Sequence, residues 1–203
     1  MLNKVALLLV VVTLIQVPPF AQDASRADEA RGTLEGSVYR NSTLGITIRL
    51  PGSWQLQSRG VAHGARDANC TGPLCGDADI DVALAPKGGT THGHGLFLAA
   101  WKLAPEYQNR SRYPLKWFAQ IMTSGSLGGS NWVPLASLSA VQLDRRPAFR
   151  LLVAEPGEKE ARGFGYVSET NGYVFLLVGS ADSSGDERVL QAAVEGLEFS
   201  QGR

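Results

Sequence analysis

The sequence has few of the residues that build metal and catalytic centres. Its 203 residues include two cysteines, three histidines and two methionines. A structural zinc site takes four protein ligands and a catalytic one takes three, so few cysteines and histidines are available to form a metal centre. The sequence also lacks the Gly-x-Ser-x-Gly elbow of serine hydrolases and the Gly-Lys-Ser/Thr end of a phosphate-binding loop. These absences argue against the common hydrolase and nucleotide-binding classes.

Neither sign of charge dominates the chain. It has 19 basic and 19 acidic residues, and loss of Lys4 with the first 21 residues leaves a net charge of −1. Proteins that bind nucleic acid carry an excess of Lys and Arg on one face, and anionic lipid is recognised by clusters of basic residues. The even mixture predicts neither kind of partner.

One long apolar run occurs, and it lies at the N-terminus. Residues 5–14 are almost entirely apolar, Lys4 precedes them, and Pro18, Pro19 and Ala21 follow. This arrangement is typical of an export signal. We expect residues 1–21 to be removed, leaving a periplasmic or secreted protein that starts near Gln22. No second apolar run long enough to span a membrane follows, so the sequence predicts no membrane insertion after cleavage. We also expect the exported protein to be a monomer.

The two cysteines are close together. Cys70 and Cys75 enclose Thr-Gly-Pro-Leu, and the Gly72-Pro73 pair suits a tight reversal of the chain. In an exported protein such a pair is most simply a disulfide. Free thiols and a metal site remain alternatives. Both cysteines lie in the polar, glycine-rich stretch 57–79, which we expect to be a surface excursion.

The remaining pattern predicts an α+β fold in a single domain over residues 37–200. Apolar residues do not recur at a regular spacing in residues 22–36, which we expect to be a flexible leader. Apolar and polar residues alternate at 46–50 as in a half-buried strand, and 96–103 are nearly all apolar, which indicates a central strand.

Helices are predicted near residues 114–123 and 185–196, where apolar residues recur at helical spacing. Ser184 and Glu187 have the spacing of a capping box for the second helix. Two hairpins are predicted, one around residues 144–147 and one around Asn171-Gly172. The sheet should be twisted and mainly antiparallel, because strands follow one another through short turns.

Stretches at the two ends of the domain, and one hairpin between them, form a recognisable pattern. They are Tyr39-x-Asn41-x-x-x-Gly45-Ile46-x-Ile48-x-Leu50-Pro51-x-x-Trp54, Arg146-Pro147-Ala148-Phe149, Asn171-Gly172-Tyr173-Val174-Phe175-Leu176-Leu177 and Gly196-Leu197-Glu198-Phe199. This pattern resembles the PsbP/Mog1-like family of α/β/α sandwiches. The resemblance implies helices on both faces of the sheet, and a non-catalytic binding or assembly module like the exported bacterial members of unknown role. The family's binding residues cannot be transferred to this chain.

The chemistry-bearing candidates are sparse. His92 and His94 lie in a glycine-rich loop, 86–95, and could hold zinc or copper if a third ligand such as Asp77, Asp79 or Asp81 were near. This possibility keeps a metal-binding protein or metal-dependent hydrolase as the alternative function. No other cofactor is predicted.

Other polar and aromatic residues have simpler explanations. Ser126 follows the first predicted helix, and the glutamates around Lys159 suit a solvated turn. Trp54, Trp101 and Trp117 lie on apolar faces and are predicted to be core, whereas Trp132 follows a polar loop and could lie on the surface. The sequence therefore predicts a non-catalytic binding or assembly module whose partner, a protein or a small ligand, contacts the sheet or the 57–79 excursion.

Overall fold

The computed structural model describes residues 31–57, 74, 78–88, 95–124, 133–135, 138–154 and 163–200. Strands dominate these ranges, together with a single 3-10 turn at Pro105–Tyr107 and the helices α1 (Leu115–Ser124) and α2 (Ser184–Glu195). The strands are β1 (Thr33–Glu35), β2 (Val38–Asn41), β3 (Ile46–Arg49), β4 (Trp54–Gln57), β5 (Ile80–Pro86), β6 (Gly95–Lys102), β7 (Val133–Pro134), β8 (Ser139–Leu143), β9 (Arg146–Ala154), β10 (Gly163–Thr170), β11 (Tyr173–Ser180) and β12 (Glu198–Phe199).

A small sheet joins the two ends of the described chain. Its order is β1-β2-β3-β12, and every pair within it is antiparallel. The alternation predicted at 46–50 is confirmed, since Ile46 and Ile48 are buried and Thr47 is half-buried. β1 lies within the segment 22–36 that the sequence predicts as a leader, so the sheet begins before Ser37.

The main sheet is larger and its described strand pairs are also antiparallel. Its order is β4-β5-β6-β11-β10-β9-β7, with β8 pairing β9 as well. β6 is an interior strand, and its residues from Gly95 to Ala100 are all buried, as predicted from its continuous apolarity. The prediction of an α+β fold based on antiparallel sheet is therefore confirmed.

Hydrophobic clusters lie on the two faces of the main sheet. Side chains alternate along β11, so that Phe175 and Leu177 join one cluster while Leu176 joins the other. The first cluster includes residues of the small sheet and of α2, and the second includes residues of α1. Full burial of a side chain such as Phe118, which belongs to the second cluster, contributes about 2–3 kcal/mol.

Both predicted helices are present, with ends shifted by one residue. The cap of α2 differs from the prediction: Ser183, not Ser184, precedes the helix, and its Oγ accepts a hydrogen bond from the Asp186 backbone N–H at 3.1 Å. Leu190 and Val194 are buried as expected, whereas Val189, placed on the same face from the sequence, is 53% exposed. No helix among the described residues is long and apolar enough to cross a membrane.

The two hairpins position the site described below. The Asn171-Gly172 turn is confirmed, and both residues have positive φ values of 50° and 79°, as its tight two-residue geometry requires. The earlier hairpin turns through Asp144 and Arg145 alone, at φ values of 43° and 68°. Arg146 and Pro147, predicted as part of that turn, instead begin β9. The strand therefore fixes the position of Arg146.

Candidate functional site

A cleft of about 430 Å³ lies at one end of the main sheet. It is formed where β9 begins, β10 ends and the β10–β11 turn projects, together with a residue that precedes α1. The residues that line it are Arg110, Arg146, Pro147, Glu169, Thr170, Asn171, Gly172 and Tyr173. The cleft is thus built mainly on paired strands and on a tight turn.

Strand register brings these residues together. β9 and β10 are antiparallel with Ala148 opposite Ser168, so the first residues of β9 lie beside the last residues of β10. The Ser168 hydroxyl donates to the Pro147 carbonyl at 2.8 Å and fixes this pairing at the cleft edge. The β9–β10 pairing therefore sets the positions of the two strand ends that line the cleft.

Arg146 is held on two sides. Its Nη1 donates to Thr170 Oγ1 at 3.0 Å, and Thr170 is only 4% exposed. Its guanidinium carbon lies 4.4 Å from the centre of the Phe199 ring in β12. A guanidinium over an aromatic face is stabilised by the ring quadrupole. The side chain is therefore oriented by both sheets.

Arg110 makes the ion pair of the cleft. Its Nη2 lies 2.6 Å from Glu169 Oε2, and both side chains are 34% exposed. The Arg110 Nη1 also donates to the Tyr107 carbonyl at 3.0 Å, and the guanidinium lies 5.3 Å from the Phe118 ring centre. Arg110 thus links the loop before α1 to the end of β10.

An aromatic group packs beside Arg110. The ring centres of Tyr107 and Tyr113 lie 5.1 Å apart, and that of Trp117 lies 5.0 Å from Tyr113. All three side chains are half-buried against the second hydrophobic cluster. They form the wall that supports the loop carrying Arg110.

The projecting turn is tied to its neighbours. Asn171 Nδ2 donates to the Thr43 carbonyl in the β2–β3 turn at 3.1 Å, and the Leu103 backbone N–H donates to the Gly172 carbonyl at 2.9 Å. Asn171 and Gly172 themselves are exposed. The turn is thus anchored while its outer surface faces solvent.

A second polar group lies between α2 and the main sheet. The buried Tyr166 hydroxyl donates to Glu195 Oε1 at 2.5 Å, and Gln191 Nε2 donates to the same oxygen at 2.8 Å. Burial and the adjacent carboxylate raise the pKa of Tyr166. Burial alone would raise the pKa of Glu195, but the bonds from Tyr166 and Gln191 and the charge of Arg150 lower it. This group joins helix to sheet.

A third buried polar group lies in the small sheet. The Tyr39 hydroxyl donates to the Arg31 carbonyl at 2.8 Å and accepts from Asn41 Nδ2 at 3.1 Å. Burial raises the pKa of Tyr39 to about 12, although the bond from Asn41 opposes this effect. Its proton is retained at neutral pH, which suits a structural role.

Most of the site residues predicted from sequence fall outside the described residues. This applies to Cys70, Cys75, His92 and His94, so the disulfide and the metal site stay predictions. Asp79 is described, and its Oδ2 accepts a hydrogen bond from the Lys102 backbone N–H at 2.6 Å, which joins the start of β5 to β6. In the described part of the chain, no group of three His, Cys, Asp or Glu residues could hold a metal ion.

Of the three tryptophans predicted to be core, Trp54 is buried, and the other two lie at the edge of a hydrophobic cluster. Trp54 is 2% exposed, and its ring N–H donates to the Pro51 carbonyl at 2.5 Å. Trp101 and Trp117 are half-buried and pack against the second cluster. Trp132, Ser126 and the glutamates around Lys159 lie beyond the described residues.

The sequence did not predict this cleft as a site. Arg110 and Glu169 carry no predicted role, and Arg146 lies in a stretch that carries the family resemblance without a predicted role in binding. The Asn171-Gly172 pair was the sequence signal available for the cleft. A tight turn at these residues brings the end of β10 beside the start of β11, and the start of β9 pairs with the same end of β10.

Comparison with known proteins supports the fold. No protein-family model and no curated protein matches the chain. The structure is similar to the solution structure of cyanobacterial PsbP (CyanoP) from Synechocystis sp. PCC 6803, with a TM-score of 0.50 and 10% sequence identity. The match covers 83% of this chain and 96% of the cyanobacterial one. At this identity the similarity concerns the fold alone, which is PsbP-like.

Proposed function

We propose that the chain is an exported, non-catalytic binding or assembly module that acts in the periplasm or outside the cell. The N-terminal signal pattern supports export, and the PsbP-like fold supports an assembly role. We also propose that the two helices and the two sheet faces form the α/β/α sandwich that the family resemblance implies. The partner is a protein or a small ligand.

The observation that carries this proposal is the cleft at the β10–β11 turn. Its described lining residues include no histidine or cysteine, and the carboxylate among them, Glu169, is paired with Arg110. A general base or nucleophile needs a reactive partner within hydrogen-bond reach. The Thr170 hydroxyl instead accepts from Arg146. The cleft therefore offers oriented hydrogen-bonding groups, which suit recognition better than proton transfer.

A steric block of the cleft tests this function. Pro147 is exposed at the cleft wall, and Pro147→Tyr adds a large side chain there while keeping both arginines. Ala192→Tyr adds the same side chain on the exposed face of α2 and is the matched control. Protein purified after export is immobilised, and an envelope extract of the native host is passed over it.

We expect the wild type and Ala192→Tyr to retain the same component, and Pro147→Tyr to lose it. Equal retention by all three proteins would contradict the cleft as the binding surface. A third variant lacking Ser58 to Gly76 tests the excursion: loss of capture by this deletion alone would move the site there. No component retained above bare resin would contradict the binding function.

A further inference from the structure

The two arginines of the cleft differ in what already binds them. Arg110 pairs with Glu169, donates to the Tyr107 carbonyl and contacts the Phe118 ring. Arg146 forms no ion pair with any described residue, and Thr170 takes one of its five N–H donors. The positive charge of Arg110 is therefore compensated locally, whereas no described residue compensates that of Arg146.

Arg146 is also oriented before any ligand arrives. The contact with the Phe199 ring fixes one face of the guanidinium, and the bond to Thr170 fixes its rotation. Arginine loses rotamer entropy when it is immobilised, and here folding has already restricted the side chain. An oriented guanidinium can bind a ligand with little further loss of side-chain freedom.

The charge and size of the cleft favour one kind of ligand. Arg110, Arg146 and Glu169 give its lining a net charge of +1. A single planar guanidinium matches the two oxygens of a carboxylate, which it binds through paired N–H bonds. The cleft volume of about 430 Å³ is near the lower end for small-molecule pockets, and its rim is open at Pro147, Asn171 and Gly172, which are all exposed. An extended segment can therefore lie across it.

We infer that the cleft binds a carboxylate of an acidic peptide segment in a partner protein, and that Arg146 is the residue that binds it. The open turn at Gly172, where an added Cβ would meet no atom within 4 Å, leaves room for the backbone of that segment. This inference rests on the proposed function, because it names the ligand class of the same cleft.

Titration with defined peptides tests the inference. The probes are N-acetyl-tetraglutamate amide, its neutral counterpart N-acetyl-tetraglutamine amide, and inorganic phosphate. Each is added to ¹⁵N-labelled protein purified after export, and the Arg146 Nε–H and Gly172 backbone N–H signals are followed by NMR. We expect the glutamate peptide to shift both signals to saturation and the glutamine peptide to leave them unchanged.

Variants assign the effect to Arg146. Arg146→Gln removes the charge and should weaken glutamate-peptide binding at least tenfold, whereas Arg146→Lys keeps the charge and should lose less. Arg188→Gln removes an exposed arginine of α2 and should bind like the wild type. Because Arg146→Gln could also loosen β9, its thermal midpoint is measured beside that of Arg146→Lys. If Arg146→Gln unfolds, a smaller loss of binding in the folded lysine variant, absent from Arg188→Gln, still assigns the contact.

Three results would overturn the inference: equal binding of the two peptides, equal binding by Arg146→Gln and the wild type, or saturation by phosphate without response to the glutamate peptide. The failure of this inference is distinguishable from failure of the proposed function. If Pro147→Tyr abolishes partner capture while no acidic peptide binds, the cleft is a binding site for another ligand class. If neither capture nor peptide binding depends on the cleft, both are wrong.

Discussion

Replacing Gly179 by alanine tests the packing of the hairpin that carries the cleft. Gly179 lies opposite Phe164 in the β10–β11 pair. A Cβ at this position would lie 2.3 Å from Phe164 Cζ and within 2.8–3.0 Å of two further ring atoms. The ring is fully buried and packs edge-on against Tyr166 at 5.8 Å, so it has little freedom to move away.

The structure sets the size of the effect. Adding a methyl group to a filled core costs about 1–3 kcal/mol, and the fixed ring places Gly179→Ala near the upper value, about 3 kcal/mol. With a urea m-value of about 2 kcal/mol/M, the unfolding midpoint falls by about 1.5 M. Urea unfolding followed by circular dichroism measures this shift.

A control and a second variant make the reasoning refutable. Gly185→Ala in α2 would bring its Cβ no closer than 3.7 Å to Ser183 Oγ, and alanine's helix propensity should raise stability by about 0.5–1 kcal/mol. Phe164→Leu removes the ring atoms that the added Cβ would meet, so Gly179→Ala should cost about 2 kcal/mol less in that background. An equal cost in both backgrounds would show that the Phe164 contact is not the cause.

Three further predictions concern pH, the cysteines and the N-terminus. Because burial raises the Tyr39 pKa from 10.0 to about 12, its stabilising contribution is complete below pH 10. That contribution falls by about 3 kcal/mol as the pH rises from 10 to 12. Between pH 9 and pH 11, the free energy of unfolding measured in urea should therefore decline less for Tyr39→Phe than for the wild type. Cys70 and Cys75 should resist alkylation in non-reduced exported protein, and both should react after reduction. The ring that the disulfide closes should contribute about 2 kcal/mol to the free energy of unfolding. Two reactive thiols before reduction would contradict the disulfide. Mass spectrometry of the exported protein should find an N-terminus near Gln22, and an intact Met1 would contradict the signal peptide.

Features that depend on near neighbours in the sequence were predictable. Asn171-Gly172 specifies its turn through backbone conformations that those two residues tolerate, and the apolar residues of α1 recur at helical spacing. The cap of α2 shows the limit of this approach, because Ser183 with Asp186 and Ser184 with Glu187 present the same spacing. Only the three-dimensional path of the chain decides which serine precedes the helix.

Features that depend on distant pairing were not predictable. β1 is three residues long, and its strand character comes from pairing with β2 rather than from its composition. The cleft joins Arg110 before α1, Arg146 in β9 and Glu169 in β10, and no local pattern relates the three. Their proximity arises from strand order and register, which are set by the whole sheet.

The last strand of the small sheet has a consequence for how the chain folds. β12 pairs with β3, and the Arg49–Glu198 contact between them spans 149 positions. Contacts at such separation form slowly, because a long loop must close before they yield any stabilisation. The small sheet can therefore be completed only after residues 198–199 are available. A copy truncated before Glu198 would leave the β3 edge unpaired and would lose the Phe199 ring beneath Arg146. It should therefore self-associate through that edge and bind the glutamate peptide less tightly than the full chain.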